Sequence, residues 1–200
     1  AIKNLNLPLN SMLIASTGSC YKNNSNTLMN EDSIIEPKNH YSVSKIAMEF
    51  AANLYANIIP LIIVRPFNYT GVGQDPLNLV PKIVEAFKKK DTELSLGNIN
   101  ISREFNDVRS IACLYVELIK NIKTHPTPIN ICSGKAVSIS KIIELCSRIT
   151  NHKIQIKKDI RFVRKNDPKE IVGDTRILKS LIPNLDFHSI EDTLFWMLSN

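Results

Sequence analysis

Leu61-Ile-Ile-Val-Arg-Pro-Phe-Asn-Tyr-Thr-Gly-Val-Gly-Gln74 opens with four consecutive apolar residues, three of them β-branched, between Pro60 and Pro66. A run that short and continuous, with no polar alternation, reads as a strand covered on both faces, as in parallel sheets. Upstream, Val43, Ile46, Ala47, Phe50, Ala51 and Leu54 recur at i, i+3, i+4, i+7, i+8 and i+11, the period of an amphipathic helix with its apolar stripe packed inward. Downstream, Leu79, Val80, Ile83, Val84 and Phe87 mark a second helix, closed by Lys88-Lys-Lys90. The same alternation extends to both ends. Met12 to Ala15 and Pro128 to Cys132 are strand-like, as is Glu93 to Gly97. Helices are predicted after Asp107 and Ser138, each residue an N-cap, and short ones from Asp174 and Ser189. Two further strands are expected near Ile154 and Ile171, and an Asn-rich loop from Lys22 to Asn39. Strands alternating with helices predict an α/β fold with parallel strands. The methionine and aromatic positions on the helices are expected in the core.

Composition narrows the function. The 200 residues are 44% hydrophobic and 22% charged, with a net charge of +6, ordinary values for a globular chain. The six glycines cannot be arranged as G-x-G-x-x-G or G-x-x-x-x-G-K-[ST]: Gly71 and Gly73 begin the first pattern, but position 76 is Pro. Gly71 and Gly73 are therefore expected in a simple turn after a strand. The four cysteines show no C-x-x-C spacing and the four histidines no H-x-x-x-H, which predicts reduced, mostly buried thiols and no metal site. No apolar run approaches the ~20 residues that span a bilayer, and no signal-peptide pattern opens the chain. A reducing cytoplasm is the expected compartment, without membrane association. Lys153 to Lys165 holds six cations against Asp159 alone. No nucleic-acid-binding motif or aromatic interleaving accompanies them, so a solvated face or a small polyanion such as a nucleoside diphosphate is favoured over nucleic acid.

The sharpest chemistry lies in Tyr41-Ser-Val-Ser-Lys45, where a spacing of four puts phenol and ammonium on one helical face. An ammonium beside a phenol favours the phenolate, bringing a group that normally titrates near ~10 toward use as an acid or base at neutrality. By itself the pattern also fits an ordinary helix surface. In a parallel sheet, however, ligands bind at the carboxyl ends of the strands. Ala15-Ser-Thr-Gly-Ser-Cys-Tyr21 and Arg65-Pro-Phe-Asn68 leave two such ends, so Thr17, Tyr41, Lys45 and Asn68 are expected to converge on one crevice.

Taken in order, Ser16 to Tyr21, Tyr41 to Lys45 and Arg65 to Gln74 resemble the S-[ST]-x-x-x-Y, Y-x-x-x-K and R-P-x-N-x-x-G-x-G-Q motifs of the extended short-chain dehydrogenase/reductase family. The likeness continues through Val80-Pro-Lys82-Ile, Leu96-Gly-Asn98, Arg103-Glu-Phe105, Asn130-Ile-Cys-Ser-Gly134, Arg164 and the Val172-Gly-Asp174 triplet. Its phrasing is most similar to the reductases and 4,6-dehydratases of GDP-linked deoxysugars. The resemblance implies the C-terminal part of a Rossmann-like sheet with the catalytic Tyr/Lys in residues 1–75. Residues 76–200 would form mainly a small α/β substrate-binding subdomain, with some segments returning to the sheet. It implies Tyr41 as catalytic acid/base, Thr17 as the hydrogen-bond partner of the sugar C4 oxygen, and Lys45 as the holder of the nicotinamide ribose. Tyr41, Lys45, Pro66 and Phe67 would touch NAD or NADP; Thr17, Asn68, Lys82, Arg103 and Arg164 would line the nucleotide-sugar site. A homodimer is implied in the same way.

Two departures shape the expectation. Ser19 stands where dehydratases carry a Glu acid/base, and a hydroxyl does not titrate usefully, so a reductase is favoured over a dehydratase. A 4-epimerase makes similar demands. Relatives also carry roughly a hundred or more residues before the Thr17 strand, including the glycine-rich dinucleotide fingerprint. Most of the cofactor site is thus expected outside this chain, which alone would be inactive. A truncated, non-enzymatic relative acting as a binding module is the rival reading. Lys22 replaces a usual Gly, and Tyr69 a frequent His.

Overall fold

The computed structural model describes residues 9–22, 28–163 and 168–200. In chain order the elements are β1 (Met12–Ala15), α1 (His40–Asn53), β2 (Leu61–Pro66), β3 (Tyr69–Thr70), α2 (Leu79–Lys88), β4 (Glu93–Leu96), β5 (Ser102–Arg103) and β6 (Asn106–Asp107). They continue with α3 (Val108–Asn121), β7 (Ile129–Ile131), β8 (Val137–Ser138), α4 (Ile139–Thr150), β9 (Gln155–Lys158), β10 (Glu170–Ile171), α5 (Arg176–Leu181) and α6 (Ile190–Ser199). The strand read as decisive is the centre of the main sheet. β2 lies parallel between β1 and β7, with Ala15 opposite Val64 and Arg65 opposite Asn130. Every residue of β2 is buried, as its unbroken apolar run requires. β4 and β9 pair in parallel, as do β3 and β6; β5 joins β10 in parallel and β8 antiparallel.

Two apolar clusters carry most of the core. Ile62, Val64, Ile111, Leu118, Ile129 and Leu178 join the main sheet to α3 and α5. Val80, Ile83, Phe87, Leu96, Ile142 and Leu194 join β4 to α2, α4 and α6. The predicted caps hold: the Asp107 side chain accepts from Arg109 N, Ser138 from Lys141 N and Ser189 from Asp192 N. Among the described residues no helix is long and apolar enough to cross a membrane.

Helix α1 corrects the sequence reading. Its helical period is real, but of the stripe Ile46 alone is buried: Val43 is 51% exposed, Phe50 71% and Leu54 81%. The buried residues are Ser42, Ile46 and Glu49, a neighbouring stripe about 100° around the helix. Glu49 can lie on this inward face because its carboxylate pairs with Arg65 inside the protein. Phe195 is likewise exposed, so the helical aromatics are not all core, although Phe87 and Met197 are. Gly73, at φ 83°, makes the expected turn, whereas Gly71 is small because Val108 and Trp196 pack onto it. Cys20, Cys132 and Cys146 are buried free thiols; Cys113 is exposed.

Candidate active site

The carboxyl end of β1 is fixed by Ser16 N donating to Val64 O at 2.7 Å. Thr17 follows in extended conformation, nearly buried, and its Oγ1 accepts from Ser19 N at 3.1 Å, capping the short 3-10 turn Gly18–Cys20. That hydroxyl keeps its hydrogen for a second partner. A Cβ on Gly18 would stand 2.9 Å from the Phe67 ring, so glycine is what lets the turn lie flat on that side chain. The Phe67 ring is itself buried, stacked on Tyr21 with centroids 6.3 Å apart.

Helix α1 starts at this same edge. Asn39 Oδ1 accepts from Ser42 N at 2.8 Å while Asn39 N donates to Ser42 Oγ, a reciprocal cap that sets the first turn. Tyr41 sits in that turn, 56% exposed. One turn later Lys45 extends back to the sheet: its Nζ donates to Ala15 O at 3.0 Å and lies 5.7 Å from the Tyr41 ring centroid. A single ammonium therefore ties the phenol to the strand end that carries Thr17. Asn68 emerges from the adjacent strand, exposed, with its carbonyl held by Asn106 N at 2.9 Å and Asn106 Nδ2 at 3.1 Å.

The residues expected to bind substrate are held differently. Lys82 Nζ donates to Ser95 O at 2.9 Å and lies 4.3 Å from the Phe162 ring centroid. No contact joins it to Tyr41 or Lys45 among the described residues. Arg103 is buried on β5, with Nη1 donating to Ser102 O at 2.6 Å. Arg164 lies outside the described residues. Pro66 closes β2 opposite Ile131, and Phe67 N donates to Ile131 O at 3.0 Å.

Three features escaped the sequence reading. Arg65 forms a bidentate pair with Glu49, Nε–Oε1 3.0 Å and Nη2–Oε2 2.7 Å, and donates to Tyr21 Oη at 3.1 Å. Tyr21 Oη in turn donates to Asn130 Oδ1 at 2.7 Å. Burial works against the Arg65 charge, but Glu49, Tyr21 and Cys20 together outweigh it; burial also pushes the Tyr21 phenol up. These motif residues hold the crevice floor together rather than lining it. Glu104, fully buried, gathers Gly173 N at 2.6 Å, Ser133 N at 2.8 Å and Gly134 N at 3.3 Å, so it clamps the β5–β6 turn against two loops. Burial raises the Glu104 carboxyl, while these N–H donors oppose the rise. Tyr115, on α3, stands within electrostatic reach of Tyr41 and Tyr69; burial foremost, then those two phenols, raise its own. Its place in an apolar helical stripe concealed it.

Known proteins are similar to this chain. GDP-6-deoxy-D-talose 4-dehydrogenase of Aggregatibacter actinomycetemcomitans is 36% identical over 201 residues, covering 100% of this chain and 68% of that protein. GDP-6-deoxy-D-mannose reductase of Pseudomonas aeruginosa is 28% identical over 153 residues, 72% of this chain and 50% of that one. Among solved structures, one from Burkholderia cenocepacia superposes with a TM-score of 0.91 at 37% identity, covering 95% of this chain and 62% of its own. The Pseudomonas aeruginosa RMD structure, complexed with NADPH, superposes with a TM-score of 0.85 at 25% identity, covering 94% of this chain and 65% of its own. The chain thus spans between half and about two thirds of the length of these relatives. With the Tyr41–Lys45 pair at the strand edge and a family match running over residues 1–182, the chain belongs to the GDP-mannose 4,6 dehydratase family.

Proposed function

We propose that the intact protein is an NAD(P)-dependent nucleotide-sugar oxidoreductase that reduces a nucleoside-diphosphate 4-keto-6-deoxyhexose at C4. The observation that carries this reading is Lys45 bridging the Ala15 carbonyl and the Tyr41 ring beside Thr17. Ser19, exposed beside Thr17, offers a hydroxyl and no carboxylate, which speaks against dehydration. Two relatives, named as a 4-dehydrogenase and a reductase of GDP-linked 6-deoxyhexoses, support an oxidoreductase.

The chain's own groups fit a nicotinamide cofactor. Lys45 commits one N–H to Ala15 O, and two ammonium donors remain for ribose hydroxyls. Ser16 Oγ, buried at the same strand end, has no hydrogen-bond partner among the described residues. Pro66 and Phe67 offer backbone at the end of the next strand. The bound cofactor supplies hydride to C4. Thr17 orients the C4 oxygen through its hydroxyl, and Tyr41 delivers the proton that completes the alcohol. Lys45 stabilises the negative charge left on the Tyr41 oxygen. Asn68, Lys82, Arg103 and Arg164 bind the nucleotide sugar, the cations meeting its diphosphate. Residues 1–75 supply the catalytic corner and residues 76–200 mainly the substrate subdomain, whose own apolar cluster lies within them, while α3, β7 and α5 are the segments that return to the sheet. The exposed Val43, Phe50 and Leu54 stripe supports a homodimer through α1.

The test is steady-state turnover of the intact protein with NAD(P)H and a keto-sugar nucleotide. Tyr41→Phe is expected to lower kcat by about 10²–10⁴-fold, with thermal stability unchanged because the hydroxyl is exposed. Wild-type turnover in that variant overturns the assignment. Product analysis by NMR distinguishes the C4 alcohol from the equilibrating pair a 4-epimerase would give.

A further inference from the structure

We propose that Phe162 is the platform on which the nucleobase of the nucleotide sugar stacks, with Lys82 beside it; the proposal rests on the nucleotide-sugar reading. Phe162 ends a short 3-10 turn, Ile160–Phe162, capped by Asp159, whose side chain accepts from Arg161 N at 2.9 Å. The turn is anchored. Asp159 N donates to Leu96 O at 2.8 Å, continuing the β4–β9 ladder, and a Cβ on Gly97 would run into the Phe162 carbonyl. Glycine at position 97 lets the turn rest directly on the end of β4.

On this fixed turn the Phe162 ring is 53% exposed and Ile160 82%. One exposed phenylalanine needs no explanation. This one is paired with a cation that is itself anchored: Lys82 Nζ lies 4.3 Å from its centroid and donates to Ser95 O at 2.9 Å. A half-exposed ring with Lys82 over one face, and an ammonium with two N–H donors to spare, stand on one scaffold, β4–β9 with α2. A nucleoside diphosphate presents the complement, a flat π-system joined to two anionic phosphates. A protein partner would call for a broader apolar patch, whereas the strand leading into the turn ends in Lys157 and Lys158.

Calorimetric titration of the intact protein with GDP and with UDP tests the assignment in Phe162→Ala, Phe162→Leu and Phe162→Trp. Phe162→Ala and Phe162→Leu are expected to weaken binding about tenfold, and Phe162→Trp to match or exceed wild type, because stacking needs a π-face. Melting temperatures stay constant, as the ring is half in solvent. Wild-type affinity in Phe162→Leu or Phe162→Ala overturns the Phe162 assignment while leaving the nucleotide-sugar reading intact. A wild-type protein that binds neither GDP nor UDP overturns both.

Discussion

Removing the guanidinium of Arg65 would leave the Glu49 carboxylate buried without its cation and Tyr21 Oη without its donor. Stranding one partner of a buried pair costs about 3–5 kcal/mol. Arg65→Met is therefore expected to lower the urea midpoint substantially, and Arg65→Met/Glu49→Met to recover much of the loss, since the stranded charge is gone. Additive losses in that double-mutant cycle would show that the pair is not coupled. The contrast with Tyr41 and Lys45 is instructive. Their relation is one helical turn, so it stands in the sequence as a spacing. Arg65 reads there as a cation at a strand end; its partners come from positions 49, 21 and 130, and only folding brings them together.

At the scale of elements, the N-terminus of α3 is more than a cap. Asp107 accepts from Arg109 N at 2.7 Å and from the Arg109 guanidinium at 3.0 and 2.7 Å; Thr193 Oγ1 on α6 adds a bond at 2.8 Å. Arg109 also lies 3.9 Å from the Trp196 ring centroid, so one carboxylate docks α6 on α3. Burial opposes ionisation of Asp107, but these donors outweigh it and hold the carboxyl below its ordinary value. A carboxyl depressed in the folded state contributes stability above the unfolded pKa of about 4, and that contribution is lost as pH falls through the folded value. Asp107→Asn is expected to cost roughly 2 kcal/mol at neutral pH, with the gap to wild type closing as pH falls below the ordinary carboxylate range. Denaturation midpoints measured from pH 7 to pH 2 check this; a gap that stays constant with pH would refute it. The capping role was legible because Asp before an apolar helical period is a local signal. The docking to α6 was not, since Thr193 is 86 residues away.

For the whole molecule, the outward stripe of α1 is the largest departure from the sequence reading and the basis of the proposed dimer. Phe50→Asp, at a position 71% exposed, is expected to shift the intact protein from dimer to monomer in sedimentation velocity without lowering the melting temperature of the protomer. A monomeric wild type, or a dimeric variant, would reject that interface. The sequence by itself determined the alternation of strands and helices, the helix caps and the order of the motifs, because each depends on neighbours within a turn or two. Tertiary structure alone decided which face of α1 is buried, since a 3.6-residue period marks a stripe without saying what lies opposite it. Arg65 gives the Glu49 carboxylate a partner on the buried face, beside Ile46, while Val43, Phe50 and Leu54 stay outside. In the same way only the folded chain sets Lys45 on the Ala15 carbonyl and Lys82 on Phe162, contacts spanning 30 and 80 residues. Contacts over such separations depend on the packing of the sheets, which no local spacing records.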